Sequence, residues 1–270
     1  MKKSRIFIIV FSLCMLLSAV LLCFFYLQPP DDLKEVQKRG VLLAGTTGDY
    51  RPMSYLNRDT GVYEGFDIAL AEDFASFLNV KIKFIPVSWP ELMNAAAEEK
   101  FDAALSGITI TDERRKKALM SDGYLNNGKT ILCRSEDKDK YINLDSVNKP
   151  EVRVMENPGG LNQKFAQDNL PKAQLIIHNV NEEIPSLIAE GRADVMITEI
   201  LEAEYYCSID SRLAAPVIAA PFTHGRIGAL FPKNRKKLLK RFNEFLYIEK
   251  QSGRLDELKK IYIQNKNDYN

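Results

Sequence analysis

The sequence predicts an α/β fold in two lobes with a ligand cleft between them, preceded by an N-terminal hydrophobic helix. Three observations predict it. From Val41 to Leu105 short apolar runs alternate with helical periodicity in the order strand, helix, strand, helix, strand. The same order returns between Val152 and Thr198. Ahead of both lies an uncharged apolar run, Ile6 to Leu27. Two halves of this size each fit a small α/β lobe, and open α/β sheets bind ligands at their strand ends.

The N-terminus sets the compartment. Met1 to Arg5 is basic, and the 22 residues that follow carry no charge. As a helix they would span roughly 33 Å at about 1.5 Å per residue, enough to cross a bilayer. Cys23-Phe24-Phe25-Tyr26-Leu27 is bulky where a cleavable signal peptide needs small residues, so residues 1–30 are predicted to be an uncleaved signal anchor. Basic residues stay on the cytoplasmic side, which leaves residues 31–270 periplasmic or otherwise extracytoplasmic, tethered to the inner membrane by residues 6–27.

In the first half, Val41 to Thr46 reads as a buried strand running into the turn Gly48-Asp49-Tyr50-Arg51-Pro52. Phe66, Leu70, Phe74, Phe77 and Leu78 recur at helical spacing from Gly65 to Asn79, with Glu72, Asp73 and Ser76 opposite. Val80 to Val87 alternates Lys81 and Lys83 with Ile82 and Phe84 as a strand. A helix is predicted from Pro90 to about Glu99 and a strand over Phe101 to Leu105. The second half repeats this with strands at 152–155, 175–178 and 195–198 and helices at 161–169 and 181–190. Two amphipathic helices, 236–248 and 255–263, break at Ser252-Gly253 near the end.

Composition excludes several functions. Residues 31–270 hold 34 bases against 36 acids, which offers no field for nucleic acid. Only Cys133, Cys207, His178 and His224 lie outside the apolar run, and none has metal-ligand spacing. Neither a metal nor an organic cofactor is expected. Cys133 and Cys207 are compatible with a disulfide or with two buried thiols. The segment 123–130, GYLNNGKT, matches the phosphate-cradling GxxxxGK[ST] loop in letters. No apolar helical stripe follows it to receive a phosphate, and that function is rejected.

Several residues are candidates for ligand binding. Asn157-Pro158-Gly159-Gly160 connects a strand to a helix start, where backbone N–H groups can meet a carboxylate; an ordinary turn reads the same way. Arg114 offers a planar fork for an anion, whereas Arg115, Lys116 and Lys117 read as a solvated face. Trp89, the single tryptophan, falls at a strand end and is either core or a ligand shelf. Glu199 and Glu202 follow the strand at 195–198, facing the cleft or simply favouring a helix dipole.

Taken together, GTTGDYRPMSY (45–55), EGFDIALAEDFA (64–75), SWPELM (88–93), FDAALSGITITDERR (101–115), NNGKT (126–130), NPGGLNQKFA (157–166) and GRADVMITEILEA (191–203) resemble, in order and spacing, the type II periplasmic solute-binding proteins. Within that family the TTGDY, SWP, GKT and NPGG segments look most like the cyclohexadienyl dehydratases. The resemblance covers about residues 33–265. It implies a hinge crossed twice, with lobe 1 formed by residues 31–128 and 226–270 and lobe 2 by residues 129–225. It further implies that Arg114 binds the ligand carboxylate, helped by Ser106, Thr109 and the backbone after Gly160. Tyr50 and Trp89 would bound a ring, Lys129 and Asn157 would lie against the ligand with Gly159, and Glu202 would be the general acid.

The activity so implied is the decarboxylating dehydration of prephenate to phenylpyruvate, or of arogenate to phenylalanine. A carboxyl must then reach the reaction protonated, which an enclosed apolar setting favours. Three residues depart from the family pattern: Glu199 stands where an Asp usually holds an α-ammonium, and Leu161 and Gln163 replace a hydroxyl and a carboxylate. The alternative function is a non-catalytic receptor that delivers a polar amino acid to an ABC permease. Either way the partner is a small carboxylate or amino acid.

Overall fold

Residues 31–264 are described here from a computed structural model. Helix α1 (Asp32–Arg39) opens on the Asp31 cap and ends at Gly40, whose φ of 70° closes the helix where a side chain would be strained. Strand β1 (Val41–Thr46) follows, then a small antiparallel meander of β2 (Asp49–Tyr50), β3 (Ser54–Asn57) and β4 (Val62–Glu64). Helix α2 (Phe66–Phe77), β5 (Lys81–Pro86), α3 (Leu92–Ala97) and β6 (Ala103–Ala104) complete the strand and helix alternation expected from the apolar periodicity. Next come α4 (Asp112–Lys117), β7 (Leu119–Met120), β8 (Leu125–Asn127) and β9 (Lys129–Arg134).

The second alternation runs α5 (Leu144–Val147), β10 (Arg153–Glu156), α6 (Leu161–Asn169), β11 (Gln174–Ile177), α7 (Ile184–Ala189), β12 (Val195–Glu199) and α8 (Ile200–Ile209). The chain then returns through β13 (Leu213–Ala214), β14 (Gly225–Ile227) and β15 (Leu230–Phe231) to α9 (Lys236–Ser252) and α10 (Arg254–Lys259). Gly253, with φ of 82°, makes the break between the last two helices.

The strands form two five-stranded sheets, in the orders β5-β1-β6-β15-β7 and β11-β10-β12-β9-β13. Each keeps three parallel strands, as the alternation requires, and adds antiparallel ones: β15 against β6 and β7, and β9 against β12 and β13. The sheets are therefore mixed rather than largely parallel, because strands returning from distant parts of the chain complete them. The lysines of β5 alternate outward along the edge of the first sheet, where charge blocks further pairing. Strand β12, flanked on both sides, is buried along its whole length.

Between the sheets the chain passes once from β8 into β9 and back once from β13 into β14. Strands β8 and β14 pair antiparallel, Leu125 with Ile227 and Asn127 with Gly225, so the two crossings lie side by side. The result is a two-lobed α/β fold. Helix α9 packs Phe242 and Phe245 on Phe74 of α2, at ring distances of 4.8 and 5.3 Å, and so fastens the C-terminal segment to the first lobe. Each lobe has its own core, one around Phe66, Phe74 and Phe242 and one around Ile131, Val154 and Ile197.

Among the described residues no helix is long and apolar enough to cross a membrane. The run 6–27, and with it the expected N-terminal helix and anchor, lies outside the described residues. The GxxxxGK[ST] letters fall on β8 and β9, with Lys129 and Thr130 in a strand rather than at a helix start, in keeping with their rejection as a phosphate loop. Cys133 is a buried thiol in β9 with no disulfide, and burial pushes its pKa up to about 12.

Candidate functional site

The cleft lies where strand ends of both lobes converge. Its walls include Tyr50, Trp89, Gly107, Thr109 and Arg114 from one side and Lys129, Asn157, Gly160, Leu161, Asn162, Asn181 and Glu199 from the other. The remaining void is about 30 Å³, room for a water or two, so the lobes are closed on each other.

Glycine permits close packing at two points around the cleft, the second of them between the lobes. Gly107, with φ of 68°, lies so close to Tyr50 that a Cβ would stand 2.2 Å from Cε1 of its ring. Gly159, with φ of 78°, lies against Pro90 of the other lobe, where a Cβ would fall 2.5 Å from Cγ. A methyl group at 159 therefore obstructs closure and strains the backbone. Gly159→Ala is expected to weaken ligand binding about tenfold or more while the strain of about 1 kcal/mol lowers the melting temperature of the unliganded protein by only about 2–4 °C, as read by calorimetric titration and thermal unfolding.

Arg114 is held in α4, whose N-cap Thr111 accepts the Arg114 N–H at 3.1 Å. Its side chain is 9% exposed, and Nη1 donates to the Thr109 carbonyl at 2.7 Å. No carboxylate lies within ion-pair distance of it among the described residues. Burial pulls its pKa down. A buried guanidinium without a counter-ion is costly, and a ligand carboxylate in the cleft would remove that cost.

Glu199 ends β12 and is the most heavily engaged group in the cleft. Its Oε1 accepts from Thr109 Oγ1 at 2.8 Å and from Lys129 Nζ at 2.9 Å. Its Oε2 accepts from Tyr50 Oη at 2.9 Å and Asn127 Nδ2 at 2.8 Å. Burial raises the Glu199 pKa, but the Lys129 charge and these donors outweigh it and hold the value below the ordinary range. Lys129 also donates to Asn162 Oδ1.

Glu202 sits in the first turn of α8, fully buried behind Asn181. Asn181 Nδ2 donates to its Oε1 at 3.0 Å and Thr198 Oγ1 donates to its Oε2. The same Asn181 amide donates across to the Asp49 carbonyl at 3.0 Å, linking the lobes, while its Oδ1 is buried and finds no partner among the described residues. Burial dominates at Glu202 and pushes its pKa up to about 8, with Asp49 and Glu199 adding repulsion. The group is a neutral acid at neutral pH.

The ring-binding candidates also meet. Tyr50 and Trp89 are edge to face, with centroids 6.0 Å apart, and Trp89 Nε1 donates to Asp49 Oδ1 at 3.0 Å. Nine of the residues singled out in the sequence line the cleft: Tyr50, Trp89, Thr109, Arg114, Lys129, Asn157, Gly160, Leu161 and Glu199; Glu202 lies behind Asn181 and is not part of the wall. Ser106 does not line it either. Its hydroxyl is buried behind the cleft, accepting from the Thr47 N–H at 2.9 Å and bonded to Ser54 Oγ at 2.6 Å. Gly159 touches the opposite lobe, and its N–H donates to Gln163 Oε1 at 2.7 Å.

Asn127, Asn162, Asn181 and Glu156 escaped the sequence reading. Glu156, at the end of β10, is fully buried and accepts the Ile197 N–H at 2.7 Å, and burial holds its pKa far above the ordinary range. The signal that finds Glu156 and Asn181 is position, since each stands at or just past the end of a parallel strand. Among the described residues no three His, Cys, Asp or Glu side chains are grouped to hold a metal ion.

Residues 42–265 match the bacterial extracellular solute-binding proteins, family 3. The chain belongs to that family. Members of family 3 are extracytoplasmic, and the two-lobed fold is the family architecture. One member, cyclohexadienyl dehydratase of Pseudomonas aeruginosa, is 36% identical over 233 residues, 86% of this chain and 86% of its own length. Another, the ABC transporter glutamine-binding protein GlnH of Bacillus subtilis, is 26% identical and covers 87% and 85% of the two chains. Among family 3 structures, the ancestral amino acid-binding protein AncCDT-1, a precursor of cyclohexadienyl dehydratase, is 36% identical, with a TM-score of 0.79 over 86% of this chain and 99% of its own. An ancestral cyclohexadienyl dehydratase, AncCDT-3, is 44% identical, with a TM-score of 0.55 over 89% and 99%.

Proposed function

We propose that this family 3 protein is an extracytoplasmic cyclohexadienyl dehydratase that converts prephenate to phenylpyruvate and accepts arogenate to the extent its cleft allows. The observation that carries this reading is the fully buried Glu202 carboxyl, its pKa pushed up to about 8, beside a closed cleft that holds a buried Arg114 with no carboxylate at ion-pair distance among the described residues. A receptor needs the arginine, whereas a dehydration also needs a protonated acid near the departing hydroxyl. Similarity to the Pseudomonas aeruginosa dehydratase supports the same choice over the amino-acid receptors.

In this reading Arg114 grips a substrate carboxylate as a fork, with Lys129 and the Gly160 backbone near the other end of the molecule. Tyr50 and Trp89 bound the six-membered ring. Glu202 gives its proton to the ring hydroxyl as the carbon–oxygen bond breaks. The electron pair of the ring carbon–carboxylate bond moves into the ring, carbon dioxide departs, and the ring becomes aromatic. Water carries away the hydroxyl with the Glu202 proton, and the carboxylate left behind is reprotonated from solvent. Asn181 is a positioning residue: it donates to Glu202, and its unpaired Oδ1 suits the hydroxyl hydrogen of the substrate.

A division into lobe 1, residues 31–128 and 226–270, and lobe 2, residues 129–225, belongs to the same proposal, as does tethering by residues 6–27. The test is direct. The chain mixed with prephenate and no added cofactor is expected to generate the ultraviolet absorbance of phenylpyruvate, whereas tight binding of a polar amino acid with no turnover of prephenate or arogenate would identify a receptor.

A further inference from the structure

Four donors reach the Glu199 carboxylate, two at each oxygen, at 2.8 to 2.9 Å. A carboxylate has about four lone-pair sites, so all of them are filled. The donors come from three directions that a ligand cannot move cheaply: Tyr50 and Asn127 are buried side chains packed in the wall, Thr109 also supports Arg114 through its carbonyl, and Lys129 is an ion pair whose two side chains are only 7% and 8% exposed. Stripping one donor away leaves an unpaired polar group in a dry site.

An α-ammonium group entering this cleft needs a free acceptor, preferably charged. Asp49 receives the Trp89 N–H and a Thr47 bond, and Glu202 receives Asn181 and Thr198. Of the other acceptors, Glu156 keeps an Oε2 without a partner among the described residues but is fully buried and does not line the cleft, and the unpaired Asn181 Oδ1 in the wall is uncharged. The ammonium would also meet the positive charges of Lys129 and Arg114, with Glu199 already neutralising the first of them. A 2-oxo group is an acceptor instead. Lys129 has three N–H donors, of which two go to Glu199 and Asn162, leaving the third for a carbonyl oxygen or carboxylate.

We infer that the cleft selects a 2-oxo acid over the 2-amino acid of the same carbon skeleton, and that Glu199, by spending its whole carboxylate on the protein, is the specificity-determining residue. This deepens the dehydratase reading for the choice between prephenate and arogenate. It also concerns binding alone, which separates the two in an experiment.

Phenylpyruvate and L-phenylalanine are titrated calorimetrically into the full chain, and prephenate and arogenate are compared by kcat/KM. The 2-oxo acid is expected to bind at least tenfold tighter, and prephenate to exceed arogenate by a similar factor. In Glu199→Asp the shortened side chain cannot reach all four donors, which frees an oxygen, and both ratios should move at least tenfold toward the amino compounds. Equal or tighter binding of L-phenylalanine by the unaltered chain, or binding of neither compound, overturns the inference without recourse to any variant. An unchanged ratio in a folded Glu199→Asp protein overturns the role of Glu199. Turnover of neither cyclohexadiene substrate, with the binding preference intact, sinks the dehydratase reading and leaves this one standing.

Discussion

Glu202→Gln is expected to lower kcat for prephenate by about 10²–10⁴-fold while leaving ligand affinity within a few-fold of the unaltered protein. Glutamine fits the same pocket between Asn181 and Thr198 but carries no transferable proton. Stopped-flow absorbance gives the first quantity and calorimetric titration the second; unchanged turnover removes Glu202 as the acid. The pH dependence adds an independent reading. Since the protonated form does the work, activity should decline as pH rises through about 8. Stability carries the same signature. The folded value of about 8 exceeds the ordinary 4.5, so the folded state binds the extra proton between those limits. The contribution of Glu202 is therefore fully present below about 4.5 and is lost as pH climbs toward 8. Glutamine does not titrate. The melting temperature of the variant should gain on that of the parent across this range, whereas a constant difference would mean that position 202 is open to water.

Arg114→Met should cost about 2–5 kcal/mol of binding free energy for a carboxylate ligand, or about 30-fold to several thousand-fold in Kd. The same change should not lower, and can raise, the melting temperature of the unliganded protein, because it removes a buried cation without a carboxylate partner. Loss of the ligand-induced rise in melting temperature alongside an unchanged unliganded value is the pattern to look for. Arg114→Lys keeps the charge but loses the fork, and belongs in between. A variant that melts much earlier without ligand would show Arg114 to be structural.

Much of the architecture could be read from periodicity. Helix α6 spans Leu161–Asn169, as the Gly-Gly turn and the spacing after it required, and the Phe74 face of α2 is the buried one. The predicted strand at 101–105 shrinks to a two-residue ladder at β6, and Phe101 instead packs against Gly45, where a Cβ would come within 2.6 Å of its ring. Strand β9 was invisible as a sheet member. Its partner residues in β12 lie more than sixty positions away, and a parallel alternation gives no sign of an antiparallel insertion. The site divides similarly. Charged and aromatic residues at strand ends announced themselves by type, whereas Asn127 and Asn181 acquire meaning only when the other lobe brings them a partner, and Asn162 only when β9 brings Lys129 beside it. Ser106 was legible as a hydroxyl near the cleft but not as one turned inward to Thr47 and Ser54.

The bond from Asn181 to the Asp49 carbonyl has a wider meaning. It exists only while the halves are together, and Glu202 is sealed beside it. Parting of the halves would break it and bring bulk water toward that side chain, which moves its affinity for hydrogen ions toward that of an exposed glutamate. In the proposed reaction each opening would let that side chain exchange its hydrogen ion with the medium before the next molecule is enclosed.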